Sequence, residues 1–540
     1  MRCRRPVIRG LICSDVACNV SAGTKATAEF IATAGRDVAS YVSTIRAGSD
    51  LDSPTSPTAT YTSQMATAAR NDVRVGRPAG YRFPPGFQRN LVWFALRKFR
   101  PLNPILLFQQ LAREYGNIAH YKIGWHHIVF LNHPDYNREV LVVQNDNFIK
   151  ERTVQRTKML LGEGMITSEG AQHRMQRLVA QPAFHRQRIP EYASTMVREA
   201  ARMRDSWRDA EQRDIAIDMM HLTLNVVAQT LFATDLRGEV DELADAINRI
   251  MGLYNFLVML PAAEWLVHVR PPGLAAFVRA RKRIDAVVYR MIAAHRERHS
   301  EGGSLLDLML MASPDRSAAS EQSLRDQVIT IFLAGYETVA NALSWTWYLL
   351  SQNPECERRF HEEIDRELQG RLPAFDDVPR LRYVEMVLAE SMRLYPPAWA
   401  MGRNARADFQ LGEFFLPAKT TVLMSQFVTH RDARFFPDPL RFDPERFTPE
   451  AKSRRTKLTY FPFGAGVRQC IGESFASMEG VLLLTTLAQK WKLSLAPGHR
   501  VEPEPLITLR PKYGMRMQVE ARNQSKASRS ADEQLCHRGA

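Results

Sequence analysis

The sequence has no long apolar run. A membrane-crossing helix needs ~18 consecutive apolar residues, and the best stretch, LVWFAL at Leu91–Leu96, stops far short of that. No transmembrane anchor is expected. Cysteine is also scarce, with six in 540 residues: Cys3, Cys13, Cys18, Cys356, Cys470 and Cys536. No Cys-x-x-Cys spacing occurs, which argues against a zinc site. A disulfide framework is not expected in a chain of this size, so a reducing, cytoplasmic setting follows for a soluble protein. Charge of one sign does not dominate locally either. Lys+Arg number 72 against 58 Asp+Glu, a net +14, yet no basic stripe interleaved with aromatics appears. Nucleic acid is therefore not the expected partner. An acidic protein or an anionic cofactor accounts for the surplus equally well. No internal repeat is visible.

What is present is mostly helical in pattern, with a minor sheet component. Residues 1–79 are rich in Ala, Ser and Thr without sustained periodicity, and are expected to form a disordered N-terminal extension. The paired prolines of GYRFPPGF (Gly80–Phe87) stiffen the lead-in to a domain over 80–520. Residues 521–540 are polar and are expected to be a disordered tail. NPILLFQQLAREYG ends in Gly116, a helix stop. Ala119–Pro134 reads as two short strands around Gly124, and Phe409–Ser425 as a second β-leaning patch. Amphipathic runs fill Glu191–Ser313. One helix stands out, from an N-cap arrangement of Ser323 and Asp326 to Asn353-Pro354. It is apolar on nearly every side, about thirty residues and roughly 45 Å long, and so is expected to run buried through the domain.

Four motifs carry chemistry. The first is FGAGVRQCIG, Phe463–Gly472. Cys470 sits just before a helical stretch, where the dipole and free N–H groups favour a thiolate. Gly464, Gly466 and Gly472 belong to a loop whose glycines turn tightly and let backbone approach a flat ligand. Phe463 is placed to shield the sulfur, and Arg468 to meet a carboxylate. A buried cysteine in a glycine turn is the bland alternative. The full pattern of Phe, Gly, Arg, Cys and Gly arises by chance on the order of once in ten thousand such chains. The second motif is AGYET within the long helix. Ala334 and Thr338 share a face, Thr338 is able to bond back to an earlier carbonyl, and Glu337 sets an acid beside that alcohol. A plain helix contact with a solvated Glu337 explains it equally on its own. The third is ESMR, with Glu390 and Arg393 one helical turn apart among apolar flanks, and Arg446 supplied by PERF. The fourth is HRMQR, where His173 and Arg177 lie four apart; an exposed basic face is the ordinary explanation.

FPFGAGVRQCIG resembles the haem-ligand loop of the cytochrome P450 family at every defining position, and the other motifs follow in that family's order from about Gly80 to Glu520. The resemblance implies a mainly α cytochrome P450 fold, with a long central helix and a minor β-sheet region. It implies haem b with Cys470 as the axial thiolate of iron. Arg468, His173, Arg177 and Arg403 would meet the haem propionates. Phe463, Gly464, Gly472 and Ala334 would border the cofactor. Glu337 and Thr338 would organise the water that delivers protons to O2. Glu390, Arg393 and Arg446 would form a structural triad. The implied activity is hydroxylation of a lipophilic small molecule such as a fatty acid, terpenoid or steroid. Electrons would come from a ferredoxin and its reductase using NAD(P)H. Lys452, Arg454, Arg455 and Lys457 offer a docking patch for such a donor. Candidate substrate-lining positions are Thr330, Ala334, Ala398, Trp399 and the segment Phe148–Ile166. The rival readings are a peroxide-driven peroxygenase and a non-catalytic haem-binding protein.

Overall fold

A computed structural model describes residues 83–87, 103–185, 188–239, 242–250 except 248, 272–298, and 304–522 except 314 and 316. The expected disordered extension over 1–79, the LVWFAL run and all but two residues of the tail lie outside these. The first helix among the described residues is α1, Pro104–Tyr115. Asn103 caps it by accepting from the Ile105 N–H at 3.0 Å, Pro104 takes the first turn, and Gly116 ends it at φ +71°. Strands β1 (Ile118–Ile123) and β2 (His126–Leu131) follow as a hairpin around Gly124, as the sequence predicts. Strand β3 is Phe148–Lys150. Helix α2 is Gly170–Ala180. The amphipathic runs expected over Glu191–Ser313 become helices α3 (Ile189–Ser206), α4 (Ile215–Thr230), α5 (Pro272–Arg298) and α6 (Leu305–Ala312), with 251–271 and 299–303 outside the described residues. The short strand β4 (Gln212–Asp214) interrupts them. Short helices are left unlabelled.

The long helix, α7, is Ala318–Gln352. At 1.5 Å per residue its 35 residues span about 52 Å. It starts earlier than the sequence suggests. Ser317, not Ser323, caps it by accepting from the Ser320 N–H. Asp326 is instead buried inside the helix. Its carboxylate accepts from the Glu163 N–H at 2.8 Å, Gln322 at 2.6 Å and Arg325 at 3.0 Å, and so stitches α7 to the loop before α2. A fully satisfied buried carboxylate mimics a cap in sequence because both need a short acid near a helix start. Asn353-Pro354 ends α7 as expected, and Pro354 opens helix α8 (Pro354–Leu368). Helix α4 comes close enough to α7 that a Cβ on Gly335 would meet Val227 at 3.0 Å, and the Thr223 hydroxyl bonds the Tyr336 carbonyl.

Helix α9 (Arg382–Leu394) precedes strands β5 (Met401–Ala405), β6 (Phe409–Leu411), β7 (Phe414–Leu416) and β8 (Thr421–Met424). One five-stranded sheet has the order β1-β2-β8-β5-β3, with β2 and β8 parallel and the other pairs antiparallel. Its register sets Lys150 opposite Arg403, which matters for the site. Helix α10 (Glu473–Ala488) leads to β9 (Trp491–Leu495), the hairpin β10 (Pro503–Pro505) and β11 (Leu509–Pro511), and finally β12 (Arg516–Ala521). Strand β12 pairs with β4 and β9. Arg522 bonds the Ala488 carbonyl and Asp365, so ordered structure runs two residues past 520. These elements belong to one compact unit, Arg77–His268 with Gly273–Ala540. A second unit, Met1–Gly76 with Val269–Pro272, lies almost wholly in the undescribed residues.

The sequence pairs Glu390 with Arg393, and the structure makes that pair bidentate. Arg393 Nε and Nη2 donate to the two Glu390 oxygens at 2.6 and 2.7 Å. Its remaining donors reach the carbonyls of His430 (2.8 Å), Pro439 (2.7 Å) and Arg441 (3.0 Å). All five guanidinium N–H groups are therefore used. Both side chains are 0% exposed. Arg446 joins more loosely, 3.5 Å from Glu390, and donates to the Asp438 carbonyl. Removing one partner leaves a buried, unpaired charge. Arg393→Met is expected to cost about 3–5 kcal/mol, measured as a fall in denaturant midpoint at constant slope. Arg358→Gln, which opens the exposed pair with Glu355, should leave that midpoint nearly unmoved.

Candidate active site

The loop from Phe461 to Gly472 is held by its own backbone. The Gly464 N–H donates to Phe461 O at 3.0 Å, Gln469 to Gly466 O at 3.0 Å and Cys470 to Phe463 O at 2.9 Å. Gly464 and Gly466 sit at φ +71° and +69°, where a side chain is strained. Gly466 is excluded from change on a second ground: a Cβ there would fall 2.0 Å from the Leu141 carbonyl oxygen. Gly472 leaves one flank of the sulfur clear, since a Cβ there would sit 4.0 Å from Cys470 Sγ. His430 holds the near end of the loop, its Nε2 accepting from the Phe461 N–H at 3.0 Å. Its carbonyl is one of those bound by Arg393, so the triad region and the loop are one connected structure.

Cys470 stands at the start of α10 with an accessible surface, yet protein surrounds it closely. Burial pushes its thiol up. The Gly472 N–H and Arg177 pull the other way, Glu473 adds to the rise, and the net direction is up. The expected thiolate stabilisation by the helix end is thus outweighed by desolvation. Such a thiol is a poor free nucleophile but a sound metal ligand, because a bound cation deprotonates it outright. Among the described residues no group of three or more His, Cys, Asp or Glu could hold a metal. The iron that the resemblance implies would, at this loop, find its protein ligand in Cys470. The Phe463 ring is partly accessible and borders a hollow of about 300 Å³ with Leu388, Met392, Tyr460 and Phe461.

From Leu324 to Trp347, α7 is buried at every position except Ala334, Gly335 and Thr338. Ala334 and Thr338, four apart on one face, are partly accessible, while Gly335 lies against Val227 of α4. Thr338 Oγ1 donates to the Ala334 carbonyl at 2.8 Å, the back-bond that the sequence anticipates. Glu337 does not share this opening. It is 3% exposed and turns to the β10–β11 hairpin, where Thr508 Oγ1 donates to its Oε1 at 2.5 Å and Arg510 Nε at 2.8 Å. A solvated glutamate is ruled out by this burial. Thr330, expected to line a substrate space, is 1% exposed and packs against Gly164, where a Cβ would meet its Oγ1 at 1.9 Å. Ala398 and Trp399 are partly accessible, and the Trp399 indole donates to the Leu506 carbonyl.

Basic side chains converge beside the loop. Lys150 and Arg403 face each other across β3 and β5. Arg468 comes from the loop, and His173 and Arg177 from α2. Arg468 does meet a carboxylate, but it is Glu169, in an ion pair supplemented by a bond to Ser168 O at 2.7 Å. Arg177 donates to Gln469 O at 2.8 Å, tying α2 to the loop. Arg403 is buried, and among the described residues its side chain bonds only the Gly402 carbonyl, at 2.8 Å. Burial and then Arg468 pull Arg403 down to about 10; burial, Arg403 and Arg468 pull Lys150 well down. Burial, Arg468, Arg177, Lys150 and Arg174 pull His173 down to about 4. Five basic groups thus crowd one place, with Glu169 and Glu151 opposing them. A site so short of negative charge fits a ligand carrying carboxylates. Lys150 and Glu151 fall in the segment expected to line the substrate, and their place in this basic cluster, like that of Glu169, was not legible because the pairing of β3 with β5 joins residues some 250 positions apart.

The expected docking patch is smaller than the sequence suggests. Arg455 turns inward over the Phe447 and Tyr460 rings. Lys452 pairs with Glu385 at 2.9 Å. Arg454 and Lys457 are exposed.

Comparison with known proteins follows from this geometry. The cytochrome P450 family model matches residues 84–517. The chain is 35% identical to cyclooctatin synthase of Streptomyces melanosporofaciens over 75% of its own length and 89% of the relative's. It is 34% identical to cyclooctat-9-en-7-ol 5-monooxygenase of the same organism, over 73% and 86%. Pentalenene oxygenase of Streptomyces avermitilis is 31% identical over 80% and 94%. A solved structure, the cytochrome P450DA heme domain, superposes with a TM-score of 0.73 at 25% identity, covering 82% of this chain and 98% of the other. A glycine-walled thiol, a gap at mid-helix and a cradle short of anions find their common explanation in these matches: the chain belongs to the cytochrome P450 family and is a haem-thiolate monooxygenase.

Proposed function

We propose that this monooxygenase hydroxylates a terpenoid, using haem b, with electrons passed from NAD(P)H through a ferredoxin reductase and a ferredoxin. The substrate class rests on the names of three relatives, two of which modify cyclooctatin-type compounds and one pentalenene. The site itself rests on one observation: the break in burial of α7 at Ala334, Gly335 and Thr338. When bound, the haem supplies the iron chemistry that activates O2. Cys470 would hold its iron, and Lys150, His173, Arg177, Arg403 and Arg468 would hold its propionates. The small Ala334 side chain leaves room beside α7 for the guest. The apolar length of α7 excludes water there, which protects the reaction from side paths. The Thr338 hydroxyl spends its proton on Ala334 O, so its lone pairs face outward and accept. Oγ1 can then hold a water in place and pass a proton through it. Glu337, next in the chain, is the acid that replenishes that proton from solvent. A reducing compartment suits a catalytic thiol, and we place the protein in the cytoplasm on that ground.

Difference absorption of the haem-loaded protein should show displacement of iron-bound water by cyclic terpenoids and not by straight-chain fatty acids or steroids. A response confined to fatty acids would overturn the substrate class. Turnover should require ferredoxin, reductase and NADPH; equal rates with peroxide alone would point to a peroxygenase.

Cys470→Ala should remove the iron–sulfur signature in X-ray absorption and abolish hydroxylation. Thr338→Ala should bind substrate normally but release most of the reducing equivalents as hydrogen peroxide. The yield of product per NADPH should fall at least tenfold, the low side of a lost proton-transfer contribution.

A further inference from the structure

Three bonds meet at the β10–β11 hairpin tip in a fixed order. Asn341 Nδ2, one turn beyond Glu337 on α7, donates to Thr508 Oγ1 at 3.1 Å. A threonine hydroxyl has one proton. With Asn341 taking a lone pair, that proton goes to Glu337 Oε1 at 2.5 Å. Arg510 Nε also lands on Oε1, at 2.8 Å. Among the described residues no hydrogen bond reaches Oε2. One carboxylate oxygen is therefore pinned twice and the other is left unbonded.

The hairpin does not depend on these bonds for its position. Trp345 Nε1 donates to Leu509 O at 3.0 Å, Leu509 N to Pro397 O at 2.9 Å and Trp399 Nε1 to Leu506 O at 2.9 Å. The tip is fastened to α7 and to the segment after α9 by groups other than Glu337. A clamp that is rigid without its cargo is suited to orienting that cargo.

We infer that Thr508 and Arg510 are positioning residues for the acid at 337: they fix Oε1 and so reserve Oε2 as the oxygen that takes a proton from solvent and passes it toward Thr338. This rests on the proton role proposed above for Glu337. Each passage is neutral overall, since Oε2 gains one proton from water and gives up one. Arg510 sets its guanidinium against that carboxylate. Burial opposes the charge on Arg510, but Glu337, Tyr336 and Glu504 outweigh it and the guanidinium is raised. The contribution of Thr508 is directional, because its hydroxyl and no other neutral group selects which oxygen is pinned.

The test uses the full-length haem-loaded enzyme with its reductase chain. Thr508→Val keeps the shape and removes the proton donor. Product per NADPH should fall roughly tenfold, the worth of one well-placed hydrogen bond. Peroxide release and the solvent deuterium isotope effect should both rise, with haem content and substrate affinity unchanged. Thr508→Ser should restore coupling. Thr508→Val combined with Glu337→Gln should be no worse than Glu337→Gln alone. The infrared carboxylate band that Glu337→Gln removes should shift in Thr508→Val. A merely structural hairpin would give additive losses and lowered haem content, with no recovery in Thr508→Ser. If Glu337→Gln uncouples while Thr508→Val does not, this inference fails and the role of Glu337 stands. If Glu337→Gln leaves coupling unchanged, both fail.

Discussion

The saturated guanidinium of Arg393 is the joint on which the rest of the site depends. One planar group binds Glu390 on its own helix and three carbonyls from the segment 430–441. His430 then carries the connection to Phe461 and into the thiol loop. A buried ion pair adds little to stability when compared with apolar packing, because desolvation offsets the attraction. What it supplies is geometry. Five directional bonds define where the loop begins relative to α9, and tolerate no substitute, since lysine lacks the fork. The loop's glycines then do the local shaping, with Gly466 pressed against the Leu141 carbonyl.

Electrostatics in the site run in two opposite directions. At Cys470 the protein disfavours charge, so its thiol is pushed up by burial. At Lys150, His173 and Arg403 it crowds like charges, and each is pulled toward neutrality. Both imbalances would have the same remedy, a flat ligand that is cationic at its centre and anionic at one edge, and one such ligand would relieve the two together.

Much of this was legible in the sequence because it is local. The spacing in FGAGVRQCIG, the back-bond from Thr338 to Ala334 and the turn between Glu390 and Arg393 all lie within ten residues. The helical class follows from periodicity, and Asn353-Pro354 marks the end of α7. What failed was long-range. Asp326 resembled a cap because nothing near it announces the loop at Glu163. Arg455 resembled surface charge because its aromatic partners, Phe447 and Tyr460, are recognisable only once the turn is folded. Arg468 found its carboxylate on Glu169, 299 residues earlier. A solvated Glu337 stayed open as the plain alternative because Arg510 is 173 positions away.

That last separation bears on how the molecule is made. Helix α7 leaves the ribosome with an acid at its centre and no arginine to meet it. At 5–20 residues per second the missing strand arrives roughly 10–35 s later. Until then the middle of the domain cannot close, since Trp345 and Asn341 await the same hairpin. A hairpin translated late completes a buried helix translated much earlier, and nascent chains must be protected from aggregation over that interval.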